Sequence, residues 1–275
     1  MSATTTTKAM AVLRCLFAAV LILVLFAAPG ARAACVSATD KDCDGFSDTE
    51  EAAGLAPLAG SGMTFTEGSP LVTNPGVPDL FVILVPGTCA KFPTPLLGSV
   101  TAPVSAGGLG IAVHLISQTG GTSRNITTTQ KAVRVTEACD ALTNTKSVLL
   151  GVTTQGDPNG LDNTTVYTQR IEAYIKYLCG GTLHAACIDD LGNAGTALVQ
   201  RYIRYVANHE VGHDTRLANV TAAYITQYNG NHLPPGEKVV MEQSTSFTKK
   251  GSNVTFYLAN KFDPVSQASF VLHTY

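Results

Sequence analysis

The sequence predicts an α+β fold, with a mixed sheet laid down first and helices following it. Three observations carry this expectation. The apolar runs Leu80–Val85 and Ser147–Val152 are each closed by Gly, Pro or polar turn residues, as buried strands are. The apolar period then changes, so that Val166, Tyr167, Ile171, Tyr174, Ile175 and Leu178 recur three and four residues apart, which is helical spacing. A second helical pattern, with Leu198, Tyr202, Tyr205 and Val206 on its apolar face, runs to His213. Strands followed by helices argue for α+β.

The chain opens on an export pattern. Lys8 and Arg14 supply positive charge around the start of an apolar stretch that includes Val20–Ala27, and Ala31-Arg32-Ala33 follows as a small-x-small cleavage site. This predicts a secretory signal peptide over residues 1–33 and a secreted, periplasmic or extracellular location. No later segment is long and apolar enough to span a bilayer, so no stable membrane insertion is expected after cleavage. The 275-residue chain has a formal charge of −2, and loss of Lys8, Arg14 and Arg32 with the signal leaves −5. No basic block remains, which argues against a nucleic-acid partner. Six cysteines stay with the mature part: Cys35, Cys43, Cys89, Cys139, Cys179 and Cys187. An even number in an exported chain suggests up to three disulfides. Spacing leaves the pairing open, with Cys35–Cys43 and Cys179–Cys187 as the local candidates.

Residues 34–55 read as a small first unit, and 56–78, rich in Gly, Pro, Ser and Thr, as linker or surface wrapping. Residues 79–275 read as the main domain. Its strand candidates are Leu80–Val85, Ile111–Ile116, the weaker Lys131–Val135, Ser147–Val152 and Val254–Leu258. Its helices are expected from Val166 to the Gly180-Gly181 stop, from near Asn193 to His213, and over Pro264–Leu272.

The first unit has calcium-loop spacing. Asp40, Asp42 and Asp44 take positions 1, 3 and 5, Gly45 the tight turn at 6, Phe46 the carbonyl position 7, Asp48 position 9 and Glu51 the bidentate position 12. Carboxylates crowded in one turn repel each other unless a cation joins them. This stretch resembles EF-hand and thrombospondin type 3 calcium loops, and the resemblance implies one structural Ca²⁺. With a single loop, a paired sensor is not expected.

The second helix ends in His209-Glu210-Val211-Gly212-His213, an H-E-x-x-H string. Positions i and i+4 put both imidazoles on one helical face, where they suit one Zn²⁺. Glu210, rotated to the side, is placed to act as general base on water attacking a carbonyl. A catalytic zinc needs a third protein ligand and an open position. His232, after the turn Asn229-Gly230-Asn231, is the first choice, and Asp214, Glu237 and Glu242 are rivals. His114, inside an apolar strand, reads as a packing or supporting residue.

These residues resemble the zincin metallopeptidases and, more loosely, their metzincin branch. The matching positions are His209, Glu210, His213, His232 and Met241, the last in the place of a methionine turn beneath the metal. Arg216 and Asn219 stand where metzincins carry a glycine and the third histidine. The resemblance implies a zincin-like mixed sheet with an active-site helix and a secreted, zinc-dependent endopeptidase. Its partner would be a protein or peptide substrate lying along an edge strand. A non-catalytic, calcium-stabilised extracellular binding or adhesion protein is the alternative, and a zinc enzyme acting on a non-peptide amide is a third option.

Overall fold

The computed structural model describes residues 39–42, 44–119, 126, 132–140, 149–154, 163–214, 240–241, 245–262 and 267, all within the unit Arg32–Tyr275. The expected signal peptide over 1–33 lies outside the described residues, as do Cys35 and Cys43 and all but residue 267 of the expected terminal helix. The fold is α+β. A short helix α1 (Asp48–Ala53) comes first, with a capping box at its start. The Ser47 hydroxyl accepts from Glu50 N, and the Glu50 carboxylate accepts from Ser47 N.

Six strands then form the main sheet: β1 (Met63–Phe65), β2 (Asp79–Val85), β3 (Ala112–Gln118), β4 (Val133–Ala138), β5 (Gly151–Thr154) and β6 (Asn163–Tyr167). Their order is β1-β3-β2-β4-β6-β5. The four inner strands are mutually parallel, and the two edge strands β1 and β5 run antiparallel to their neighbours. A one-turn helix α2 (Gly98–Thr101) lies between β2 and β3. Helices α3 (Thr168–Leu178) and α4 (Gly195–Asp214) follow β6, with strand β7 (Cys187–Asp189) between them. Strands β8 (Ser246–Lys250) and β9 (Asn253–Tyr257) join β7 in a second sheet of order β7-β9-β8.

Alternation along β2 explains why the main sheet carries a core on each face. Leu80 and Val82 point to one side, into a core with Val135, Val166, Ile171, Ile175 and the apolar face of α4. Phe81 and Ile83 point to the other, into a core with Phe46, Leu55, Met63, Phe65 and Leu71. The second core is roofed by the N-terminal segment. Residues 56–78 therefore wrap the sheet: they supply β1, and they bury Met63, Phe65 and Leu71. The expected boundary at residue 79 runs through this packed layer.

The expected strands at Leu80–Val85, Ile111–Ile116, Lys131–Val135 and Val254–Leu258 all appear, with ends shifted by up to three residues. Of Ser147–Val152, residues 147 and 148 lie outside the described residues, Leu149 and Leu150 are not strand, and β5 begins at Gly151. Val166 and Tyr167, expected as the first helical residues, instead close β6, where Val166 sits between Glu137 of β4 and Gly151 of β5. Disulfides join Cys89 to Cys139 and Cys179 to Cys187, the latter one of the two pairings anticipated from spacing. Among the described residues, no helix is long and apolar enough to cross a membrane.

Candidate metal centre

The centre is built at the end of α4. From Tyr205 to His213 every residue of this helix is buried, so its last turns run through the core rather than along a surface. His209 and His213 lie on one face with Nε2 atoms 3.1 Å apart. Two nitrogens bound to one tetrahedral zinc at ~2.0–2.1 Å would sit roughly 3.3 Å apart, so the pair is spaced for a shared ion. His209 Nδ1 lies 2.6 Å from the carbonyl oxygen of Val240. A carbonyl only accepts, so Nδ1 carries the proton and the Nε2 lone pair faces His213. The donor set thus fits zinc as far as two ligands go.

Among the described residues, no third metal-ligating side chain closes this pair. His232, Glu237 and Glu242 lie outside the described residues, as does the side chain of Asp214. Met241 is fully buried in the core under α4, beside Val240. The contact from that turn to the histidines runs through the Val240 carbonyl.

Glu210 is held against the sheet. Its Oε2 accepts from the Thr153 hydroxyl of β5 at 2.9 Å, and its own carbonyl oxygen lies 2.8 Å from the same hydroxyl. Burial pushes the carboxyl up to about 7, and the Thr153 hydrogen bond lowers it in part. Gly151 stands beside it on the same face of β5. A Cβ there would come within 2.5 Å of Glu210 Oε1 and 2.6 Å of its Cγ. Neither Gly151 nor Thr153 is marked by the sequence, because each acts across the gap between strand and helix. Asn208 is a third unanticipated residue. Its side chain accepts from Ser99 N and Val100 N and donates to Leu96 O, clipping α2 to α4 one residue before His209.

Among the described residues, the strand beside Glu210 is an edge of the sheet. Tyr167 N donates to Leu150 O, so this opposed pair is hydrogen-bonded. The register Gly151↔Val166 then leaves the N–H and C=O groups of Gly151 and Thr153 directed away from β6. β2 and β3, which cover the predicted strands Leu80–Val85 and Ile111–Ile116, are inner strands.

The residues of the expected calcium loop divide. The carboxylates of Asp40, Asp42 and Asp44 come together, and those of Asp44 and Glu51 meet that of Asp79, which opens β2. Phe46 turns its ring into the second core, edge-on to Phe81. Asp48 points outward to Lys41 at 2.5 Å, and that partner holds its carboxyl below the usual range. A further group, Cys89, Glu137 and Cys139, is structural. Its sulfurs are joined, and the Glu137 carboxylate accepts from Gly87 N, Lys91 N and the Thr168 hydroxyl. His114 lies 2.9 Å from Asp79 through Nε2, and His184 bonds within the loop stapled by Cys179–Cys187.

No family model, curated protein or solved structure matches the chain.

Proposed function

We propose that this protein is an exported zinc-dependent endopeptidase with a zincin-like active-site helix. The observation that carries the reading is the join between α4 and β5. Two histidine nitrogens lie 3.1 Å apart, and the carboxylate between them in sequence is anchored to the edge strand. His209 and His213 would hold the metal, with His232 as the favoured third ligand. Zinc, when bound, supplies Lewis acidity that stabilises negative charge developing on a carbonyl oxygen. The outer edge of β5 directs Gly151 and Thr153 backbone groups away from β6, where an extended peptide could add as a strand. A peptide there would pass over Glu210. Glu210 takes a proton from the water that attacks the carbonyl carbon and returns it to the departing amine as the C–N bond breaks.

The test is metal analysis together with hydrolysis of an unfolded protein, on the parent and on Glu210→Gln. Both proteins should hold zinc, while the variant should lose at least about 100-fold in turnover. Undiminished turnover in Glu210→Gln would overturn the assignment. A parent that holds zinc and cleaves nothing would favour the non-catalytic binding protein. His232→Ala should lower zinc affinity sharply with the fold intact; unchanged affinity would move the third ligand to Glu237 or Glu242.

A further inference from the structure

We propose that Asp42, Asp44, Glu51 and Asp79 form a calcium-type cation site that fastens the N-terminal loop to the central strand of the main sheet. The site differs from what loop spacing implies: β2 supplies a ligand, and Asp48 at loop position 9 does not take part.

All four carboxylates are buried. Relative exposures are 4 % for Asp42, 0 % for Asp44 and Glu51, and 1 % for Asp79. One side-chain oxygen of each of Asp44, Glu51 and Asp79 lies within 4.8 Å of the others, and Asp44 also belongs to the group with Asp40 and Asp42. Buried carboxylates at this spacing must be neutralised, by protons or by a cation. Two oxygens show where it would stand. Glu51 Oε2 and Asp79 Oδ2 are shut off from solvent and have no hydrogen-bond partner among the described residues. Their sister oxygens are held: Glu51 Oε1 accepts from the Thr73 hydroxyl at 3.0 Å, and Asp79 Oδ1 lies 2.9 Å from His114 Nε2. Each carboxylate is therefore fixed in rotation with one oxygen turned into the cluster.

Backbone contacts join the two halves. Asp44 Oδ2 accepts from Asp79 N at 2.8 Å, and Asp44 Oδ1 accepts from Phe46 N at 2.9 Å. Asp79 and Phe81 share one face of β2, so the strand meets the loop through a carboxylate and through the Phe46–Phe81 ring contact together. An all-oxygen, carboxylate-rich set suits a hard divalent ion with six to eight ligands rather than zinc. The inference stands apart from the histidine centre and does not depend on it.

The test uses the full mature chain, stripped with chelator and titrated with calcium chloride in a calorimeter, with thermal unfolding run in parallel. The parent should bind Ca²⁺ and unfold at a higher temperature when it is present. Asp79→Asn, which keeps size and an acceptor for His114, should weaken calcium binding at least tenfold and lose most of the thermal shift. Asp48→Asn should stay within about twofold of the parent. If Asp79→Asn does not fold, Glu51→Gln serves in its place with the same expected loss. Parent-like calcium binding by Asp79→Asn would confine the site to the loop and overturn the proposal. So would equal weakening by Asp48→Asn, or a folded parent that takes up no calcium.

Discussion

A missing side chain decides where the carboxylate of Glu210 can stand. An added Cβ at Gly151 would lie 2.5 Å from Glu210 Oε1 and 2.7 Å from Val206 Cγ1, too close for any of these atoms to stay in place. Gly151→Ala should therefore cut turnover while zinc content and fold are retained, as metal analysis beside kinetics would show. Parent-like turnover would mean that the present position of Glu210 is unimportant. Thr153 offers a finer probe. Its hydroxyl favours the ionised form of Glu210, so Thr153→Val should raise the carboxyl's pKa. A base works only when ionised, so the acid limb of the kcat/KM profile should move to higher pH; an unmoved limb would refute the role. The H-E-x-x-H string was legible because helical geometry puts i and i+4 on one face whatever the rest of the fold does. Gly151 and Thr153 were illegible because their partner is 57 residues away for Thr153 and their identities suit an ordinary edge strand. Asp79 was hidden in the same way, as a charged residue that merely precedes an apolar run.

At the scale of elements, a polar side chain in the buried part of α4 holds a second helix in place. Asn208 gives α2 the N-terminal cap that Leu97 does not provide, through Ser99 N and Val100 N, and it satisfies Leu96 O as well. Asn208→Ala takes the partner from Ser99 N and Leu96 O, while Val100 N keeps Leu97 O. At about 1–3 kcal/mol for each unsatisfied group, it should lower unfolding free energy by at least about 2 kcal/mol. Denaturant unfolding would measure this, and a loss below about 0.5 kcal/mol would mean that water or local rearrangement replaces the bonds. Long apolar runs were readable as elements because burial on both faces leaves no other composition for a central strand. The run Asn163–Tyr167 misled at its end. Its buried and less buried residues alternate as in a strand, yet Val166 and Tyr167 also fit the helical spacing of α3 behind them. Pairing on both sides of Val166 settled the competition. β7 is three residues long, and β8 is mostly exposed, so neither carries the apolar alternation by which strands are recognised.

Taken as a whole, the molecule is organised around a sheet with two cores, and its acidic cluster lies where the N-terminal layer meets β2. The sequence made the loop conspicuous but not its docking, because the contact depends on how residues 56–78 wrap the sheet. That docking has a consequence for stability. With no cation in the cluster, burial first, and then the charges of Asp42 and Asp79, push Asp44 up from 3.8 to about 8 and Glu51 from 4.5 to about 7, against the pull of their hydrogen bonds. In the unfolded chain both groups ionise at their ordinary values. Between about pH 4 and pH 8 the unfolded state therefore releases protons that the folded state keeps, and the contribution of these groups to stability falls as pH rises. If the proposed site takes calcium, the ion joins the ionised carboxylates, so its stabilising effect should grow over the same window. Unfolding temperatures of chelated protein, with and without calcium added back, should differ little at pH 5 and clearly at pH 8. In Asp79→Asn that widening should largely vanish. A gap of equal size at both pH values would show that the cluster does not hold its protons in the folded protein, and that another site accounts for any calcium bound.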